Sequence, residues 1–381
     1  MNNDFEDIRF YKDEEVEEAL REYVRHPMVK ALFQFTFPEK EYSEIEELVV
    51  SCRSIRDFQT KVIYHSVDKV LERTTGGLTY SGFNDLKEDE SYFYISNHRD
   101  IILDTSLLNY TLYDHNLIMT ASAIGDNLVQ KNFLLALSRL NRNFLVLRGL
   151  GPREMLKSSM KLSEYIRKLL FKDKRSVWMA QREGRTKDGS DHTQQGVLKM
   201  LAMAKGKMSL AEYFSNLKMV PVAISYEFDP TDILKMPELM AKRMKETYVK
   251  SANEDFNSIM QGAMGQKGRI HISACGVLNE DVFTEIEQNV GSVNDQLKAV
   301  AEKIDQKIYE NYKLWPANYI ACDLVNNNEK YASKYTDKEK RQFERRLTRR
   351  VGYKNALELN SYLLMYASPV INKESMYEKK S

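Results

Sequence analysis

The sequence predicts an α/β protein: a mixed, largely parallel sheet flanked by helices, set between an N-terminal helical bundle and C-terminal helices. Three observations carry this. Residues 78–325 alternate short apolar runs with stretches of helical periodicity, the pattern of strands joined by crossover helices. Residues 1–77 place apolar side chains at helical spacing only, and residues 326–381 return to helical spacing with a dense basic segment at 341–350. These shifts divide the chain into 1–77, 78–325 and 326–381.

In the first unit, Val16, Ala19, Leu20, Tyr23 and Val24 predict one helix over 14–33, closed before Pro38. A longer run from 43 to 73 (Ile45, Val49, Cys52, Val62, Val70) stops at Thr74-Thr75-Gly76-Gly77, whose glycines can adopt positive φ. Strands are then expected at 92–96, 117–121, 143–147, 177–180, 219–226 and 269–275, with helices at 101–113, 132–140, 152–171 and 197–205. Residues 234–264 read as a Met-rich helical insertion between two strands, and 290–311 as an amphipathic helix.

Length and charge bound the function. With 381 residues the chain can hold one large core and a smaller appended unit. Lys+Arg 56 against Asp+Glu 55 gives a net charge of +1, so no global bias points to nucleic acid. Cys52, Cys275 and Cys322 are far apart, odd in number and lack metal-ligand spacing, as expected of reduced cysteines in the cytoplasm. The acidic N-terminus has no apolar core of a secretory signal, and no uncharged run nears the ~18 residues a spanning helix needs. A cytoplasmic protein, soluble or peripheral on the membrane's cytoplasmic face, is expected.

The chemistry sits in four blocks. Asn97-His98 follows an apolar, aromatic run and precedes a helix carrying Asp104; a histidine oriented by a carboxylate suits a general base. No Gly-x-Ser-x-Gly elbow or neighbouring cysteine offers a nucleophile, so direct attack by an acceptor is expected. The second block is a buried strand ending in Arg148 beside Gly149. The third is the strand-end loop 181–189, with Glu183, Gly184, Arg185 and Lys187; arginine forks suit phosphate oxygens, and glycine lets backbone amides approach an anion. The fourth is a strand opened by Val220-Pro221-Val222.

In this order the blocks resemble those of the glycerophospholipid acyltransferase family, over roughly residues 75–325. Asn97-His98-Arg99 resembles the family's first block, 144–148 its second, Glu183-Gly184-Arg185 its Glu-Gly-x-Arg block, and Val220-Pro221-Val222 its proline strand. Residues 123–128 are similar to a stretch of the glycerol-3-phosphate and dihydroxyacetone-phosphate branch. The resemblance implies a glycerol-3-phosphate acyltransferase-like fold and O-acyl transfer from acyl-CoA or acyl carrier protein to glycerol 3-phosphate or lysophosphatidate in phospholipid synthesis. It implies His98 and Asp104 as base and orienter, Arg148 and Arg185 on the acceptor's phosphate, and Asn97, Glu183, Gly184 and Pro221 around the substrate; Lys187, in the same charged loop, is grouped with them as a substrate contact. No metal or organic cofactor is implied.

Two departures from the family pattern are visible. Five residues, not four, separate His98 from Asp104, and Gly184 and Arg185 are adjacent. An extra residue in the turn before the helix leaves Asp104 facing His98, with Asp100 as helix N-cap; the alternative makes Asp100 the partner. Each block also has a plainer reading: His98 as a satisfied core histidine, Arg148 as a salt-bridged strand end, Glu183 and Arg185 as a turn pair. The methionines at 236, 240, 244, 260 and 264 fit an acyl-chain wall or ordinary core. The basic segment 341–350 fits a membrane surface, an acidic carrier protein or a solvated face. A non-phosphate lipid acceptor and a non-catalytic lipid- or carrier-binding module are the rival functions.

Overall fold

A computed structural model describes residues 5–251, 253–353 and 355–378. Five helices open the chain: α1 (Asp13–Val24), α2 (Pro27–Thr36), α3 (Tyr42–Val50), α4 (Ile55–Phe58) and α5 (Tyr64–Thr74), the last two joined by a π-helical turn. The single helix expected over 14–33 is two, because Pro27 starts a new helix and the His26 ring nitrogen accepts from the Met28 N–H as its cap. The apolar faces of the first four close on Phe133, Ala136, Leu137 and Leu140 of one helix in the next unit, while α5 packs Val67, Val70 and Leu71 into the core of the sheet itself.

That layer contains β1 (Thr75–Ser81), β2 (Phe93–Ser96), α6 (Leu103–Asp114), β3 (Ala121–Gly125), α7 (Asn132–Leu140), β4 (Asn143–Val146) and α8 (Pro152–Arg167). It continues through β5 (Val177–Ala180), α9 (Gln195–Ala202), α10 (Leu210–Asn216), β6 (Met219–Tyr226), α11 (Asp232–Met244), α12 (Glu254–Met264) and β7 (Gly268–Ala274). The chain ends in α13 (Glu280–Asn289), α14 (Val293–Glu310), α15 (Pro316–Asn326), α16 (Asp337–Arg350) and α17 (Ala356–Glu378). The strands form one 7-stranded sheet in the order β1-β7-β6-β2-β5-β3-β4. All pairs are parallel except β6 with β7. The protein is therefore a mixed, mostly parallel α/β sheet flanked by helices.

Two elements depart from the sequence reading. The strand expected at 117–121 is four residues later, as β3. Leu117 and Met119 are buried, but the Leu117 N–H returns to the Leu112 carbonyl and the Thr120 N–H goes to Asn109 Oδ1 at 2.6 Å. Those donors are spent on α6, so the apolar run packs without a ladder. Strand β1 begins at Thr75, inside the segment read as a helix stop, and pairs with β7 at the sheet edge with mostly exposed side chains. An exposed edge strand has no apolar run to announce it.

Along β2, Phe93 and Ile95 point into one core with α8, α9 and α14, while Tyr94 points into the other with α5 and α6. Both faces are covered, as a central parallel strand requires. Pro221 lies inside β6 opposite Ile95, an unusual place for a residue without an N–H. Its carbonyl accepts from Cys275, one residue beyond the end of β7, so the missing donor falls where that neighbour has already left the ladder.

Candidate active site

His98 leaves the C-terminal end of β2, the edge where ligands gather in open α/β sheets. Its Nδ1 lies 2.8 Å from Asp104 Oδ2, and a carboxylate oxygen accepts. Nδ1 therefore carries the hydrogen, and Nε2 keeps a lone pair for a proton. The ring stands edge-on to Trp178, centroids 5.6 Å apart, and the Trp178 indole N–H is held by Ser96 Oγ at 3.0 Å.

Asp104, wholly buried in the first turn of α6, is the most heavily committed acceptor of the site. Oδ2 also takes the backbone N–H of Arg99 (2.6 Å) and Asp100 (3.0 Å), and Oδ1 takes the Tyr226 hydroxyl at 2.9 Å. The residues that follow His98 form a bend before α6, which begins only at Leu103. Asp100 turns away from the histidine: its Oδ1 accepts from Ile102 and Leu103 N–H at 3.1 and 2.9 Å, capping that bend. Its Oδ2 is buried with no hydrogen-bond partner among the described residues. Burial, then the neighbouring Asp104 charge, pushes the Asp100 carboxyl up.

Helix α12 closes over that oxygen. A Cβ on Gly262 would sit 2.2 Å from Asp100 Oδ2, so only glycine lets the helix approach. Gly262→Ala is expected to cost about 1–3 kcal/mol through overpacking, read as a lowered unfolding midpoint in denaturant with unchanged slope.

The loop after β5 is laced onto the histidine. The Thr186 N–H donates to the His98 carbonyl at 2.8 Å, and three residues earlier Glu183 pairs with Arg148 at the end of β4. Arg185 lies between these anchors, with a buried Nη1 that has no hydrogen-bond partner among the described residues. Gly184 adopts φ +67 with open space beside it, a conformation glycine takes without strain. Lys187 instead pairs with Glu238 of α11 at 2.7 Å. Asn97 is fully buried, with its Oδ1 accepting from the Ile224 N–H (2.8 Å) and its Nδ2 donating to the Ile224 carbonyl (2.9 Å). Asn97 and Pro221 thus shape the strand ends from within.

Behind His98 the backbone is pinned by charge. Arg99 reaches Asp191 at 2.6 Å, and the buried Lys235 of α11 donates to the Arg99 carbonyl at 2.8 Å while pairing with Asp229. Tyr226, Asp191 and Lys235 carried no sequence signal, since their partners are 122, 92 and 136 residues away. Only the place of Tyr226 at the end of the fourth block's strand hinted at the site. Of the basic segment, Arg346 and Arg350 turn inward to Asp232 at 2.7 and 3.4 Å, while Arg341, Arg345 and Arg349 stay exposed.

An apolar chamber of about 190 Å³ adjoins this edge. Its wall begins at Ile101 and Ile102, just past His98, and continues through Val67 of α5, Tyr110 of α6 and Leu134 of α7. Phe33 of the N-terminal bundle and Ile259 of α12 complete it. The Met-rich insertion contributes this isoleucine and Ala263 rather than its methionines. Among the described residues no group of His, Cys, Asp and Glu could hold a metal ion, and no helix is long and apolar enough to cross a membrane.

Residues 77–225 match the family model described as Acyltransferase. No curated protein matches the chain. Among solved structures it is similar to the 1-acyl-sn-glycerophosphate (LPA) acyltransferase PlsC from Thermotoga maritima, at 11% identity and a TM-score of 0.36, over 77% of this chain and 97% of that one.

Proposed function

On the premise that residues 77–225 are an acyltransferase segment, we propose that the protein moves a fatty acyl group from a thioester to a hydroxyl of a phosphorylated glycerol or lysolipid. The observation that carries this is the His98–Asp104 pair at 2.8 Å beside an apolar chamber that starts at Ile101. His98 Nε2 takes the hydroxyl proton as that oxygen attacks the thioester carbonyl. Asp104 stabilises the imidazolium, the C–S bond breaks, and the proton passes to the departing thiolate. The donor is acyl-CoA or acyl carrier protein, its chain lying in the chamber, and no cofactor takes part.

Arg148 and Arg185 hold the acceptor's phosphate. Arg185 already has a buried Nη1 without a partner, and Arg148 would exchange the exposed Glu183 carboxylate for phosphate oxygens. Held there, the acceptor keeps its hydroxyl near the base. Release of free thiol from acyl-CoA, with glycerol 3-phosphate and a lysophosphatidate as acceptors, tests the reading. Arg148→Ala and Arg185→Ala should each raise the acceptor KM about 10- to 100-fold, the weight of a charge-assisted pair. Unchanged KM in both variants would rule out phosphate recognition here and favour a lipid acceptor without phosphate.

A further inference from the structure

At the opposite edge of the sheet, two arginines are gathered without an ion-pair partner among the described residues. Arg142 immediately precedes β4 and Arg175 lies two residues before β5. Both therefore sit at the N-terminal ends of parallel strands, opposite the edge where His98 leaves the C-terminal end of β2; β5 pairs with β2 directly and β4 lies beyond β3. Between the two edges lie four-residue strands, so the edges stand about 13 Å apart at ~3.3 Å per residue.

Arg142 is 6% exposed, and among the described residues the one hydrogen-bond partner of its guanidinium is the neutral side-chain oxygen of Gln59. The Arg175 guanidinium has no hydrogen-bond or ion-pair partner among those residues. Both face a cavity of about 400 Å³ between the N-terminal segment and α8. Of the acids along its wall, Glu6 pairs with Arg9 at 2.5 Å and Asp173 with Lys168 at 2.5 Å, while Asp13, whose Oδ1 accepts from the Ile55 N–H at 2.9 Å, attracts both arginines without pairing with either. Burial, then the charge of Arg175, pulls Arg142 down to about 9. A guanidinium keeps its charge in ordinary buffers and is costly to bury unpaired. Two of them converging on one water-accessible cavity make an oxyanion receptor, since each fork binds phosphate oxygens in a plane.

We infer that this cavity binds a small soluble phosphate-bearing anion, at a site distinct from the His98 edge and independent of the acyl-transfer reading. The site is also placed to be felt elsewhere. Gln59, which holds Arg142, is itself part of the wall of the apolar chamber, so an anion on Arg142 is one side chain from that wall.

The test is thermal melting of the full chain in inorganic phosphate against chloride at matched ionic strength. Near 100-fold saturation the midpoint should rise by roughly 3 °C. The Arg148→Ala/Arg185→Ala variant, which removes phosphate bound at the catalytic edge, should keep a rise, and adding Arg175→Gln to it should abolish that rise. Arg142→Met should also abolish it while melting no lower than wild type in chloride, because it removes an uncompensated buried charge. No rise in the wild type, none in the Arg148/Arg185 variant, or one in that variant that survives Arg175→Gln would overturn the inference. So would retention on phosphatidic-acid vesicles with no response to free phosphate, which would mean a lipid headgroup.

Discussion

His98→Ala is expected to lower kcat for thiol release about 100- to 10,000-fold, the usual worth of a positioned general base, with the melting temperature within a few degrees of wild type. The fold should tolerate the change because the ring is not what holds Asp104. That carboxylate keeps the Arg99 and Asp100 N–H groups and the Tyr226 hydroxyl when the imidazole is gone. Thiol release from acyl-CoA, with circular dichroism on the same preparation, makes the comparison. A folded His98→Ala protein turning over at near wild-type rate would remove the base from the mechanism. Asp104→Asn is the less clean experiment. An amide nitrogen cannot accept, so one of those donors would face another donor, and lost activity would mix mispositioning with lost orientation of the base.

The histidine and its partner were legible because both lie on one strand-to-helix unit, where spacing along the chain stands in for distance. Asp104 rather than Asp100 faces the ring because α6 begins only at Leu103 and the preceding bend turns Asp100 away. Strands 177–180 and 219–226 were readable to the residue, since both are buried on two faces and read as unbroken apolar runs. What escaped is long-range or exposed. Tyr226 reaches Asp104 across 122 residues, and Asp191 reaches Arg99 across 92; no periodicity encodes either. Strand β1 escaped because an edge strand with exposed side chains has neither apolar alternation nor an apolar run. Lys187 was grouped with the phosphate-binding loop on its neighbours' chemistry, yet its ammonium is already paired with Glu238 on α11. The basic segment 341–350 reads as one uniform patch, whereas its helix sends Arg346 and Arg350 inward and leaves Arg341, Arg345 and Arg349 outside. Which arginine is which depends on an acid more than a hundred residues earlier.

That acid, Asp232, predicts the largest change in stability. It opens α11, is fully buried, and its Oδ2 accepts from Arg346 Nε and Nη2 at 3.1 and 2.7 Å and from the hydroxyls of Tyr362 and Tyr366 at 2.7 and 2.8 Å. Arg350 stands 3.4 Å from the other oxygen. One carboxylate thus fastens α16 and α17 to the helix whose Lys235 pins the backbone after His98. Asp232→Ala would leave a largely buried guanidinium and two buried hydroxyls without their acceptor, a loss of about 3–5 kcal/mol. Asp232→Leu with Arg346→Met should recover much of this, because an apolar pair of similar volume avoids both desolvation costs. The single variant should also lose turnover before it loses its helices on heating, since Lys235 and the Arg99 carbonyl are attached to the loosened element. Denaturant unfolding of the three proteins, with thiol release measured at rising temperature, tests both halves. A single variant within 1 kcal/mol of wild type would mean that the apolar contacts of Tyr362, Tyr366 and Phe343, rather than the carboxylate, hold the C-terminal helices in place.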